Sequence, residues 1–359
     1  MRAVMLFLLI AFHAGISYMN SDLNSGQWLF KDSSTHIFFD GLVGLLHSFR
    51  LPAFFVISGF VTHRMFRKTE WKKVLITRFN RLFFPMLITI VLISPLVHAL
   101  FAELLGQTNA WCLDVMFPDS MRNPLTISTI HVWFLYYLLL FTALHLAIES
   151  CGVIPLLKRW KTDMNFLLIA VIIVSGLIIA CLTSWQENLL FGEYTLAPTI
   201  QSLCGYLVFY LLGILLSNKH ESFAKLERMR IPFLLIGITS YITYSVKALL
   251  IMADEGNVME FNPTLMVCSA LTTIFLSLGL MGCAMKYYKN PHPIILYISK
   301  SSYFIYLIHF PVLIWFIKLC AGYNWNVFVK FIIVLIATCF CSLVLNVSWI
   351  KLWRNNPPI

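Results

Sequence analysis

The sequence predicts an all-α integral membrane protein, a bundle of about ten transmembrane helices with both termini in the cytoplasm. Hydrophobic residues make up 59% of the 359-residue chain, charged residues only 12%, and the mean hydropathy is +0.81. Runs of about 18 or more mostly apolar residues recur along the chain, each long enough to span a bilayer. The segments between these runs alternate between basic and acidic character, as the positive-inside rule requires.

Ten apolar runs support this topology. Their centres are Leu9, Phe55, Val91, Leu139, Val174, Tyr210, Ile242, Phe275, Phe310 and Leu335. Every second connection is basic, beginning with the one between the second and third runs, so most of the 26 Lys and Arg residues fall on one side, which we take as the cytoplasm. The net charge of +10 therefore indicates topology and contact with anionic membrane lipid, and no nucleic-acid partner is expected.

The positions of the cysteines and the absence of common active-site motifs exclude several other classes of protein. Most of the nine cysteines lie within apolar runs, so neither a disulfide framework nor a metal site is predicted. The sequence has no Gly-rich phosphate loop, no HExxH and no GxSxG. The first run has no A-x-A cleavage site after it and is expected to be a retained helix. We expect one integral-membrane domain over residues 1–352 and a short cytoplasmic tail over residues 353–359.

The first run, from Arg2 to about Tyr18, carries His13 deep inside an apolar stretch. Arg2 and His13 are eleven positions apart, so on a helix they point within about 20° of each other and lie roughly 16 Å apart along the axis. An ionisable residue inside a membrane span is a candidate functional residue. The alternative is a structural histidine that is hydrogen-bonded to a neighbouring helix.

The second run contains the string HSFRLPAFFVISGF. His47 and Arg50 share a helical face, and Pro52, expected in the first turns, can open a kink. Arg50 lies too deep to be ignored, although its long side chain can also snorkel to the interface. For Ser58 and Gly59 we favour a role in close helix packing.

Two further runs begin with candidate binding residues. The third is entered through RFNRLFFP, where Arg78 and Arg81 lie one turn apart. Such arginines commonly set topology and bind lipid headgroups, yet they also suit the phosphates of a cytoplasmic cofactor. The fourth opens with HVWFL, which places His131 and Trp133 at the outer interface. Trp133 is either an interfacial anchor or part of a binding pocket.

The fifth to eighth runs carry few ionisable residues and are predicted to be scaffold. The ninth run, SSYFIYLIHFP, differs because Ser302, Tyr306 and His309 form one polar stripe on an apolar helix. An interhelical hydrogen-bond network explains this stripe equally well. Polar residues inside the predicted membrane are therefore concentrated in the first, second and ninth runs.

This distribution permits one specific chemistry. A cavity that opens to the cytoplasm beside Arg2, Arg78 and Arg81 and reaches His13 would accept a rod-like donor with phosphates at one end and a thioester at the other. The pantetheine arm of coenzyme A is of the same order of length as the ~16 Å helical separation. His13, with an unperturbed pKa of about 6.5, would act as general base toward an acceptor hydroxyl that arrives from outside.

Five strings, in order along the chain, make it resemble the membrane acyltransferase 3 family: RAVMLFLLIAFH, FFVISGF, RFNRLFFP, HVWFL and SSYFIYLIHFP. Within the family the chain is most similar to the glucan biosynthesis protein C branch, which is associated with succinylating periplasmic glucans. The resemblance implies His13 as the catalytic residue and Arg2 as essential for activity or donor binding. Family members usually carry several residues before this arginine, so we expect either a start further upstream or a first helix without its N-terminal cap.

We therefore predict an inner-membrane O-acyltransferase that moves an acetyl or succinyl group from cytoplasmic acyl-CoA to a carbohydrate of the periplasm or cell envelope. Acyl-CoA is expected as a substrate, with no permanently bound cofactor; the sequence leaves the oligomeric state open. His47, Arg50, His131, Trp133, Tyr306 and His309 are the predicted substrate-binding residues. Arg50 would bind the free carboxylate of a succinyl donor. The alternatives are a transporter or flippase of an envelope carbohydrate or other anionic solute, and a sensor or scaffold without chemistry.

Overall fold

The computed structural model describes residues 2–21, 28, 30–116, 129–150, 196, 200–217, 221–255, 262–287 and 292–355. In these residues all regular secondary structure is helical, as predicted. The helices are α1 (Arg2–Ile16), α2 (Ile37–Lys68), α3 (Trp71–Ile88), α4 (Ser94–Leu104), α5 (Leu113–Met116), α6 (Trp133–Ser150), α7 (Ile200–Ser217), α8 (Glu221–Glu255), α9 (Pro263–Tyr287), α10 (Pro293–Ala321) and α11 (Val327–Asn355). A π-helical turn, Thr89–Ile93, joins α3 to α4.

Within the described residues, six helical stretches are long and apolar enough to cross a membrane. They are Ile37–Lys68, Trp71–Leu104, Ala224–Ile251, Pro263–Tyr287, Pro293–Ala321 and Val327–Ser348. Three shorter apolar helices correspond to α1, α6 and α7. Nine predicted span centres fall within these helices, and the remaining one, Val174, lies outside the described residues. The helices support a multi-pass membrane protein, while the count of ten and the sidedness remain predictions.

The first helix lies at the centre of the bundle rather than at its edge. It contacts α2, α10 and α11, and every residue from Leu9 to Met19 is buried. Residues 17–36 connect it to α2. The first helix therefore contacts α2 and α10, the two other helices in which the predicted intramembrane polar residues are concentrated.

The second helix is longer than its apolar run. It begins at Ile37, where the His36 side chain accepts a hydrogen bond from the backbone N–H of Phe38. The prediction that Pro52 lies in the first turns was wrong, because this N-terminal extension puts Pro52 near the middle of α2. The extension from Ile37 to Leu46 is mostly apolar, but Asp40, Gly41 and Gly44 interrupt it, so hydropathy alone does not locate the helix start.

Close packing of α2 against α7 depends on two glycines. A Cβ at Gly59 would overlap the backbone carbonyl oxygen of Tyr210, and one at Gly213 would overlap that of Val56. The two helices therefore approach through backbone atoms, as small residues permit in membranes. This confirms the packing role favoured for Gly59.

The last four helices pack in pairs. α8 packs against α9, and α10 against α11; only 11% of the most apolar window of α8 is buried within the protein. α11 continues to Asn355, past residue 353, where the predicted tail begins.

Candidate functional site

A cavity of about 760 Å³ lies among α1, α2, α3, α6 and α10. On α2 its lining extends from His47 to Val61, which corresponds to about 21 Å of helix at ~1.5 Å per residue. Arg78, which also lines the cavity, donates from Nη2 to Thr62 Oγ1 at 2.6 Å, so the arginines lie toward the Val61 side. The cavity is therefore elongated along the bundle, with chemically different ends.

We call these the histidine end and the basic end. The histidine end is lined by His13, His47, Arg50 and His131, and the basic end by Arg78, Arg81 and Lys300. Trp133 and Tyr306 also line the cavity. Eight of the ten residues predicted for the site thus face one continuous space. His309 does not line the cavity, but its ring contacts that of His13. The side chain of Arg2, the first residue of α1, lies outside the described residues.

His13 is enclosed by aromatic rings. Trp28 lies nearly parallel to its imidazole, with ring centroids 6.1 Å apart, and Phe310 meets it edge-on at 5.1 Å. The indole N–H of Trp28 donates to Ser17 Oγ at 2.9 Å, which fixes the tryptophan. His13 is only 6% exposed, yet its Nδ1 makes no hydrogen bond within the described residues. The ring is held by packing, so this nitrogen is not consumed by an interhelical hydrogen bond.

His131 and His309 have their tautomers set by the backbone. Nε2 of His131 lies 3.1 Å from the carbonyl oxygen of Tyr306 and 3.2 Å from that of Leu307. Nδ1 of His309 lies 2.7 Å from the Tyr306 carbonyl oxygen. Because carbonyls only accept hydrogen bonds, these nitrogens carry the protons. In the neutral rings the lone pairs are then on His131 Nδ1 and His309 Nε2, which have no hydrogen-bond partner among the described residues.

The polar stripe on α10 is therefore partly structural. The Tyr306 hydroxyl donates to the His131 carbonyl oxygen at 2.6 Å, so the two segments bond reciprocally. Ile130, next to His131, has a φ of 45°, a left-handed conformation that is costly for a β-branched residue. Such strain persists only where surrounding contacts hold it, and it clusters at functional sites.

Arg50 is directed into the protein rather than toward its surface. It is 3% exposed, and its guanidinium carbon lies 3.9 Å from the centre of the Phe12 ring, a cation–π contact. The snorkelling alternative is therefore wrong. Phe12 also stacks on His47 at 5.6 Å, so His47 and Arg50 share a face, as predicted.

Trp133 is not an interfacial anchor. It is 6% exposed and packs against Tyr137 and Tyr206, with ring centroids 5.1 and 5.5 Å away. Tryptophans of an aromatic belt lie at the lipid headgroups, whereas this ring is part of the cavity wall.

Sequence reasoning missed the cover of the histidine end. The segment of residues 28 and 30–36, here called the strap, carries Trp28. Asp32 in the strap forms a fully buried ion pair with Lys330 of α11, with Nζ 2.7 Å from Oδ1. The available signal was a lysine at the start of an apolar run together with acidic residues in an outer loop. Lys300 and Tyr303 of the cavity wall were also missed.

Comparison with known proteins identifies the family of the chain. A family model described as an acyltransferase domain matches residues 1–347. The chain is 23% identical over 339 residues to glucans biosynthesis protein C of Shigella dysenteriae serotype 1 and of Escherichia coli strain K12. These alignments cover 88% of this chain and 81% of each relative. No solved structure matches the chain.

Proposed function

The chain belongs to the membrane acyltransferase 3 family, and from this we propose that it moves an acyl group from cytoplasmic acyl-CoA to a hydroxyl of an envelope carbohydrate. The similarity to glucans biosynthesis protein C favours a periplasmic glucan as the acceptor. The observation that carries the proposal is the elongated cavity with arginines at one end and His13 at the other.

The donor would lie along the cavity. Arg78 and Arg81 would bind its phosphates through charge-assisted hydrogen bonds at the basic end, with Lys300 beside them. Arg2 begins the same helix as His13 and would contribute from the α1 terminus. The pantetheine arm would then extend past the apolar walls of α1 and α2, which place Leu6, Leu9 and Phe54 along its path. The thioester would reach the histidine end.

His13 would act there as general base. It removes the proton from the acceptor hydroxyl while the oxygen attacks the thioester carbonyl carbon. Collapse of the tetrahedral adduct breaks the carbon–sulfur bond, and the imidazolium returns its proton to the leaving thiolate. The products are the carbohydrate ester and coenzyme A. Packing by Trp28 and Phe310 keeps the His13 ring oriented between donor and acceptor.

The neighbouring His131 would bind the acceptor. It lines the cavity, and its Nδ1 carries a lone pair that the protein leaves unused, so this nitrogen accepts a hydrogen bond from a sugar hydroxyl. His309, predicted to bind substrate, lies behind the cavity wall and packs against both His13 and His131. Arg50 supplies a positive charge at the same end and would bind the free carboxylate of a succinyl donor. Trp133 offers a ring face of the kind that packs against sugars.

The membrane arrangement completes the proposal. Ten spans with both termini in the cytoplasm place the basic end at the cytoplasmic surface of the inner membrane. The strap then covers the histidine end from the periplasmic side. Donor and acceptor meet inside the bilayer, so the acyl group crosses while coenzyme A stays in the cytoplasm.

Reconstituted vesicles test this function. The purified protein is inserted into liposomes, radiolabelled acetyl- or succinyl-CoA is supplied to the predicted cytoplasmic face, and glucan is supplied to the other face. Wild-type protein should label the glucan. His13→Ala should lower the rate by about 10²- to 10⁴-fold, the contribution typical of a general base.

His98→Ala is the matched control, because His98 belongs to α4 and does not line the cavity; it should keep the wild-type rate. Labelling that survives His13→Ala would contradict the mechanism. Movement of unmodified glucan across the bilayer, without labelling, would instead support a transporter.

A further inference from the structure

A second group of titratable side chains lies outside the cavity. His63 of α2 and His145 and Glu149 of α6 place one candidate ligand atom each within 4.8 Å of one another. The two histidines are 0% and 1% exposed, and Glu149 is half-buried. His145 and Glu149 are four residues apart and so share one face of α6. We call these three residues the second cluster.

The geometry points to the second cluster as a binding site for a divalent transition metal ion, with Zn²⁺ as its preferred occupant. Two imidazole nitrogens and one carboxylate form a ligand set that zinc commonly uses, leaving the remaining position for water. Nδ1 of His63 and Nε2 of His145 are 3.2 Å apart. Two ligands about 2.0–2.1 Å from a tetrahedral ion are separated by about 3.3 Å, so these nitrogens need almost no movement.

Glu149 gives the strongest indication that this site binds a cation. Its Oε2 is buried and accepts no hydrogen bond from the described residues. A buried carboxylate oxygen without a partner is costly, and a bound cation removes that cost. A hydrogen bond shared by the two histidines accounts for those rings alone and leaves this oxygen unexplained. The ligand atoms lie within 4.8 Å of one another, so Glu149, half-buried on a flexible side chain, completes the ~3.3 Å spacing by moving about 1.5 Å at most, and it also provides an entry path.

The surroundings also prepare His145 as a ligand. Its Nδ1 lies 3.3 Å from the Tyr210 hydroxyl of α7. When Nδ1–H donates to this oxygen, the lone pair is on Nε2 and is directed to the metal, the usual outer-shell arrangement of a metal-bound histidine. The ion would then link α2 to α6 directly and to α7 through Tyr210.

One nearby positive charge would repel a metal ion bound at this site. The Arg78 guanidinium acts on His145 electrostatically and bonds Thr62, the residue before His63. The Glu149 carboxylate offsets this charge. Because Arg78 bonds Thr62, a metal bound by His63 would fix the part of α2 that holds Arg78 at the basic end of the cavity.

Metal titration of the full chain tests the inference. Protein purified in detergent is stripped with a chelator and titrated with ZnCl₂ by calorimetry, and Co²⁺ absorption then reports the ligand geometry. Wild type should bind one zinc per chain with a saturable isotherm. His145→Asn should weaken binding by more than about 100-fold and Glu149→Gln by at least about tenfold, because even outer-shell losses cost 10- to 100-fold.

Controls separate this site from the cavity. His98→Asn should bind zinc as wild type does. Glu149→Gln keeps the side-chain volume, so it still tests the site if a histidine variant fails to fold. Equal binding by wild type and both second-cluster variants, or no saturable binding, would overturn the inference. So would binding that is lost in His309→Asn and kept in His145→Asn. The measurement reads metal content, so its outcome is independent of acyl transfer.

Discussion

Two groups of histidines in the bundle differ in the charge that lies beside them. The cavity cluster consists of His13, His47 and His131, which line the histidine end beside the Arg50 guanidinium, and of His309, which packs against His13. The second cluster contains a carboxylate and lies outside the described cavity lining. No carboxylate is among the residues that line that cavity in the described part of the chain.

This difference shows how neighbouring charge and space direct one side-chain type to two uses. The Arg50 guanidinium beside the cavity cluster favours the binding of anions, and the imidazole nitrogens stay available for proton transfer. A carboxylate beside the second cluster favours a bound cation, and the 3.2 Å nitrogen pair leaves no room for an organic substrate. Arg78 belongs to both regions, because it lines the cavity and bonds Thr62 next to His63.

The largest expected effect concerns the strap, which covers the cavity cluster and not the second cluster. Asp32→Asn leaves the fully buried Lys330 ammonium without its countercharge and should lower the free energy of unfolding by about 3–5 kcal/mol. Unfolding in detergent, followed by far-UV circular dichroism, measures this change.

A second ion pair on the same bundle provides the control. Lys318 and Glu103 are paired but 27% and 34% exposed. Because exposed pairs contribute at most ~1 kcal/mol, Glu103→Gln should cost no more than this. Equal losses in the two variants would show that the strap is not held by its buried ion pair.

An effect of intermediate size is expected for Arg50, the positive charge beside the cavity cluster. Arg50→Gln should lower kcat/KM for succinyl transfer by about 10- to 100-fold, the equivalent of a charge-assisted hydrogen bond of about 1.5–3 kcal/mol. Acetyl transfer should fall less, because an acetyl group offers no carboxylate. Parallel assays with both donors measure the ratio, and Arg50→Lys, which keeps the charge, should restore part of the preference for succinyl. An unchanged ratio would remove Arg50 from donor selection.

The smallest effect concerns the basic end of the cavity, where Arg78 lies next to the second cluster. Arg78→Gln should raise KM for acyl-CoA about tenfold with little change in kcat, because this half-buried arginine is fixed by Thr62. Arg81 is exposed, so Arg81→Gln should raise KM no more than about fivefold. Arg67, in the last turn of α2, does not line the cavity, so Arg67→Gln should leave KM unchanged. The reverse order would place the phosphates nearer to Arg81.

Much of the candidate site could be predicted because its signals are local. Helical periodicity put His47 and Arg50 on one face, and both line the cavity. Apolar length placed nine span centres within helices. The same reasoning misplaced Pro52, because Asp40, Gly41 and Gly44 interrupt the apolar turns with which α2 begins. It also left Trp133 and Arg50 open between surface and interior, since a side chain's exposure depends on neighbours that periodicity does not specify.

The sequence by itself determined the all-α membrane class, the clustering of polar residues in a few spans and the resemblance to an acyltransferase family. Only the tertiary structure decided which distant residues meet. His63 and His145 are 82 positions apart, and Asp32 and Lys330 are 298 apart. Side-chain period and charge pattern are properties of one helix, whereas a metal site or a buried ion pair forms between helices. Their packing, set by contacts such as Gly59 against the Tyr210 backbone, determines which side chains come together.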